Sequence, residues 1–195
     1  MATVLTKLFD APAPDFAEAV RYAGLPKTAA VPDALKAVFD ELAPSLSYKI
    51  CYAEYPITQS GDTLDVGFAT VQSANLAKNL DGCDRVVLFA ATVGLAPDRL
   101  AEKYRRLSPE KALYANAIGA ERVESLCDAF CAFLAETNAT KPRFSPGYGD
   151  LPLSLQTAVF AALDCPRKIS VTLTDTLLMT PTKSVTALVG LKNSP

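Results

Sequence analysis

The chain has 195 residues, a net charge of −2, 50% hydrophobic and 21% charged residues, and no histidine. That size and balance suit one globular domain with a sizeable core. There is no basic tract for nucleic acid and no apolar run long enough to span a bilayer, and the missing histidine excludes Ser-His-Asp catalysis and imidazole metal ligands.

In chain order, residues 14–22 are predicted as a short helix, stopped by Gly24 and Pro26. Residues 32–42 are a second helix, with Pro32 at its start and Leu35, Val38, Phe39 and Leu42 at helical spacing. From 45 to 58 the pattern alternates, with Leu46, Tyr48, Ile50 and Tyr52 on one side, which predicts a strand. A turn at Ser60, Gly61 and Asp62 leads into a hairpin partner over 63–70. Ser73 caps a short helix to Leu80, and the continuous apolar run 84–92 predicts a central strand. Helices follow over 96–107 and from Ser108 to about Glu136, the latter opened by a cap and Pro109. A proline- and glycine-rich stretch, 141–153, precedes a helix capped by Asp150 or Ser154 and ending near Asp164. Two last strands are predicted over 168–174 and 184–191. This order lacks a steady βαβ alternation, so the expected fold is α+β, with a mainly antiparallel twisted sheet packed with helices.

The stretch 141–153 holds the densest chemistry. Pro142, Pro146 and Pro152 stiffen the backbone, and Gly147 and Gly149 permit close approach. Arg143 offers a planar fork of donors for a carboxylate, and Tyr148 a flat face with a hydroxyl. Together they suit a zwitterionic small molecule; a rigid inter-helix turn carrying a surface arginine explains the same residues. Thr92, Val93 and Gly94 form either a ligand loop at a strand end or a plain strand-to-helix turn. Lys183 and Ser184 either contact a ligand or partner or lie in a solvated loop, and Asp150 either pairs with Arg143 or caps a helix.

Five cysteines, an odd number, argue against a disulfide framework. Cys127 and Cys131 share a helix face, either as a soft-metal or redox pair or as two small buried hydrophobes beside Phe130 and Phe133. Two ligands alone make a poor closed site, so the second reading is preferred and no metal site is expected. The first ten residues lack the features of a signal peptide, and a cytoplasmic protein is expected.

Arg143-Phe144-Ser145-Pro146-Gly147-Tyr148 resembles the Arg-x-x-x-Gly-Tyr motif of the activation domain of cobalamin-dependent methionine synthase. The run from Leu173 through Met179 and Pro181 to Ser184 and Val185 is similar to a second patch of that family, in the same order and at about the same spacing. Residues 89–94 and 117–124 resemble short stand-alone relatives of the domain. The resemblance implies a single domain over 1–195, with N-terminal helices and a hairpin over 1–70 and a motif-bearing part over 73–190. It implies that S-adenosylmethionine is bound and its methyl group given to cob(II)alamin during reductive methylation, the electron coming from flavodoxin or a similar donor. Arg143 would hold the ligand carboxylate, the backbone around Ser145 and Gly147 would contact it, and Tyr148 would line the pocket; Lys183 and Ser184 complete the implied set.

The family's domain continues past the position of Pro195 into a closing segment that contributes a tyrosine, and this chain is expected to do without them. It also lacks the cobalamin-binding Asp-x-His-x-x-Gly motif. The cobalamin would therefore sit on methionine synthase modules acting in trans, with this chain a methyltransferase-associated partner for methionine biosynthesis. Two further readings stay open: a non-catalytic docking or scaffold module for a corrinoid protein, and a small-molecule sensor.

Overall fold

The computed structural model describes residues 2–26 and 30–192. A short strand, β1 (Leu5–Leu8), precedes helices α1 (Phe16–Tyr22) and α2 (Asp33–Leu42) and a 3-10 turn, Ala43–Ser45. Strands β2 (Lys49–Pro56), β3 (Thr58–Ser60), β4 (Thr63–Asp65) and β5 (Thr70–Gln72) follow. Next come α3 (Ala74–Asn79), β6 (Arg85–Thr92), α4 (Ala96–Tyr104), α5 (Pro109–Ala135) and β7 (Ala139–Thr140). The chain then runs through α6 (Leu155–Leu163), α7 (Cys165–Ile169), β8 (Thr172–Leu173), β9 (Met179–Thr180) and β10 (Ser184–Lys192).

The main sheet has the order β1-β2-β6-β10-β7, and its pairs are antiparallel throughout. The α+β class with an antiparallel sheet is as the sequence predicts. β6 lies at the centre and is buried along nearly its whole length because both faces are covered. Val86, Leu88 and Ala90 face a core with Leu76 of α3, Leu163 of α6 and Ile169 of α7. Val87, Phe89 and Ala91 face Leu126 and Phe130 of α5. Two-sided burial gives a continuous apolar run instead of alternation. A third cluster packs α1, α2 and α4 around the N-terminal half of α5, through Val20, Leu35, Leu100 and Ile118.

Several elements differ from the sequence-based expectation. The turn at 60–62 joins β3 to β4, and these pair with β5 in a separate small sheet. β2 instead pairs with β1 and β6. Of the predicted 168–174 strand only Thr172–Leu173 is strand; its first two residues end the short helix α7, which Pro166 opens in its first turn, where a missing N–H costs nothing. Ser108 and Ser154 occupy N-cap positions without a side-chain cap bond. Among the described residues, no helix is long and apolar enough to cross a membrane.

Candidate functional site

The 141–153 stretch begins as a fringe strand along β10. The Lys141 N–H donates to the Gly190 carbonyl at 2.9 Å, and Phe144 and Leu188 exchange backbone bonds of 2.8 and 2.9 Å. Strand alternation then sends neighbouring side chains to opposite faces. Phe144 enters the core beneath α6, and Arg143 reaches α5 on the other side.

Beyond Phe144 the backbone folds into a tight turn. Tyr148 N–H donates to Ser145 at 3.1 Å, and Gly147 N–H donates to Leu151 at 2.9 Å. Gly149 has φ +58°, in the left-handed region that favours glycine, and it packs against the Asn75 side chain of α3. Asp150 does cap a helix, as preferred over pairing with Arg143, but the helix is α3 rather than α6. Its carboxylate accepts the Ala74 N–H at 2.8 Å, the Asn75 N–H at 3.2 Å and the Ser73 hydroxyl. These bonds hold its pKa below the usual aspartate value, the Ser73 bond foremost.

A cleft of ≈ 430 Å³ opens beside this turn. Ser145 and Pro146 form one wall, and Ser184, Val185 and Thr186 of β10 form another. Leu177, Leu178 and Met179, at the tip of the β8–β9 hairpin, make an apolar lip, and Glu124 of α5 and Gln156 of α6 supply polar groups. Gln156 is held by a 2.9 Å bond from the buried Thr186 hydroxyl. The two sequence patches, 143–148 and 173–185, thus meet across one cavity.

Arg143 stands behind Glu124. Its Nη2 lies 2.6 Å from Glu124 Oε2, and its Nη1 pairs with Asp128. Burial works to lower the Arg143 pKa, but the bond to Asp128 and the surrounding negative groups outweigh it and raise it above the ordinary value. Glu124 and Asp128 are four apart and so share one helix face. That acidic i, i+4 pair was the local signal for Arg143's partners, although neither residue stands out from periodicity alone.

The remaining predicted site residues divide between several places. Ser184 is buried in the cleft wall, its hydroxyl 2.8 Å from the Pro181 carbonyl and 2.9 Å from Thr92 Oγ1. Thr92 also accepts the Gly94 N–H at 3.1 Å, which makes the 92–94 corner part of the scaffold under β10. Lys183 lays its stem against Gly119 of α5, where a Cβ would meet Lys183 Cγ at 2.8 Å. Burial lowers the Lys183 pKa, against the opposing charge of Asp98. Asp98 also accepts the Thr182 N–H at 2.8 Å, tying this connection to α4. Gly147 lies in the turn, outside the cleft lining. Tyr148 stands on the other side of the loop, 68% exposed, with its ring edge-on to Phe144 at 5.2 Å. Cys127 is buried in the α5 core and Cys131 packs at its margin; burial raises both thiol pKa values.

This fold, an antiparallel sheet with α5 on one face, is a known one. The chain matches the crystal structure of the MetH reactivation domain bound to AdoHcy, with a TM-score of 0.70 and 13% identity, over 96% of this chain and 78% of that one. The fold expected from the 143–148 and 173–185 patches, that of the methionine synthase activation domain, is therefore the fold observed. No protein-family model matches the sequence, and no curated protein matches it.

Proposed function

We propose that this chain binds S-adenosylmethionine in the cleft and presents its methyl group to a cobalamin carried by separate methionine synthase modules, with a flavodoxin-type donor supplying the electron. One observation carries the reading. Two sequence patches that resemble the activation domain, separated by some thirty positions, border a single cavity in a fold shared with an AdoHcy-bound domain.

The cleft suits the ligand in size and charge. Pockets for small molecules typically run from about 300 to 1,000 Å³. Glu124 lines the cleft and offers its charge to the ammonium of an amino acid, and Arg143, paired with Glu124 from behind, lies next to the cleft for the carboxylate. Arg143 has five N–H donors in all, so its bonds to Glu124 and Asp128 leave others for a ligand carboxylate. Leu177, Leu178 and Met179 provide apolar cover over the sulfonium region.

The corrinoid supplies the nucleophile, and the sulfonium carbon–sulfur bond breaks to leave a neutral thioether. No proton moves in that step, so a site without histidine lacks nothing the chemistry needs. The protein's part is to fix the approach and exclude water. In this reading the chain works in the cytoplasm, in methionine biosynthesis.

Calorimetric titration of S-adenosylmethionine into the intact protein tests the assignment. Loss of charge-assisted bonds in Arg143→Ala is expected to weaken binding by about 10–100-fold, from ~1.5–3 kcal/mol. No uptake by the intact protein overturns the reading; uptake unchanged in the variant removes Arg143 from the site.

A further inference from the structure

Tyr148 is left without a role in the cleft, and its surroundings form a second site. On the far side of the loop lies a groove of ≈ 630 Å³ between 141–149 and α3. Its walls carry Asn75, Lys78, Asn79, Lys141, Phe144 and Tyr148. Neither Lys78 nor Lys141 has a carboxylate within 4.0 Å among the described residues. The loop's own carboxylate, Asp150, is turned to the α3 amides and the Ser73 hydroxyl, so it does not neutralise them.

Two features of the groove point to one kind of ligand. Tyr148 is 68% exposed, yet it is held against Phe144 on a backbone-bonded turn, so its face is offered at small entropic cost. The two lysines supply paired positive charge beside the ring.

We infer that this groove binds a phosphorylated heteroaromatic compound of mononucleotide size. The ring stacks on Tyr148 and the phosphate lies between Lys78 and Lys141. Stacking on an exposed tyrosine tolerates any flat base, so the anionic group sets the preference. This site lies across the loop from the cleft and does not depend on the proposed methyl-donor role.

Adenosine 5′-monophosphate is the probe, with adenosine and inorganic phosphate as separate arms, titrated calorimetrically into the full chain. The monophosphate is expected to bind at least about tenfold more tightly than either part, as charge and stacking act together. Lys141→Ala, Lys78→Ala and Tyr148→Leu should each weaken it by roughly three- to tenfold without moving the thermal midpoint, since these side chains reach into the groove. Saturating AdoHcy should leave the affinity unchanged. Binding no tighter than inorganic phosphate, binding indifferent to all three variants, or loss of binding when AdoHcy is present would each overturn the assignment.

Discussion

Gly119→Ala tests how the helical scaffold supports the cleft. In an exposed helix interior, alanine in place of glycine gains up to about 1 kcal/mol in propensity. At this position the new Cβ would lie 2.7 Å from Pro97 Cβ, 3.1 Å from Pro97 Cγ and 2.8 Å from Lys183 Cγ. The lysine stem can rotate away, but Pro97 is buried in the first turn of α4 and cannot. Overpacking of this kind costs about 1–3 kcal/mol, so it outweighs the propensity gain and leaves a net loss of roughly 1–2 kcal/mol. For a chain of this length that lowers the melting midpoint by roughly 2–8 °C. Pushing Lys183 outward also disturbs Thr182 and Ser184 in the cleft wall, so S-adenosylmethionine affinity should fall together with stability. Scanning calorimetry reads the first effect and ligand titration the second. Lys183→Ala in the same chain removes one of the two clashing groups and should recover part of the loss. A Gly119→Ala protein as stable as the parent, or more so, would refute the close packing of α4 and Lys183 on α5.

Arg122 is fully buried and donates to the Pro12 carbonyl at 2.6 Å and the Ala13 carbonyl at 2.9 Å, besides pairing with buried Glu121. Arg122→Met leaves that carboxylate uncompensated and should cost about 3–5 kcal/mol in urea unfolding. A loss under about 1 kcal/mol would contradict the assigned role of the pair in pinning the N-terminal segment. Asp150→Asn should speed amide exchange at residues 74 and 75 at neutral pH, because the carboxylate that accepts their N–H groups is lost. The folded pKa of Asp150 lies below its unfolded value. The cap is therefore complete above the ordinary aspartate value of about 3.9 and is lost as pH falls through the depressed one. Exchange at 74 and 75 that ignores both the substitution and acid would separate Asp150 from the cap.

The elements that the sequence made legible are those whose signal is local. α2 announces itself by the spacing of Leu35, Val38 and Leu42, α5 by Pro109 and a long apolar face, and β6 by an unbroken apolar run. β1 was not legible: its four residues sit at a sheet edge, where exposed Leu5 and Leu8 leave no alternation to detect. The role of β3 to β5 escaped for a different reason. A turn can be seen in 60–62, but which strands pair beyond it depends on partners far along the chain.

The site divides in the same way. The stiffness of 141–153 and the polar kit of Arg143 and Tyr148 could be seen in the residues. What each side chain touches could not. Arg143 finds its partners 15 and 19 positions away, and Asp150 caps a helix 75 positions back. Tyr148 was expected in the same pocket as Arg143. The fringe strand on β10 and the turn after it put the two on different sides of the loop, which no local pattern encodes.

The strand order has a consequence for how the protein comes into being. β6 ends at Thr92, yet its second neighbour, β10, begins at Ser184, and the fringe strand at 141–144 needs β10 as its template. A nascent chain must therefore carry its most apolar strand half-paired through the synthesis of some ninety further residues. Such long-range closure slows folding and leaves a strand edge open to other chains meanwhile. Helix α5, made in the interval, can shield one face of that strand but not its hydrogen-bonding edge. Both the cleft and the opposite groove are thus among the last features to form, and a ligand in either can select only chains that have already closed the sheet.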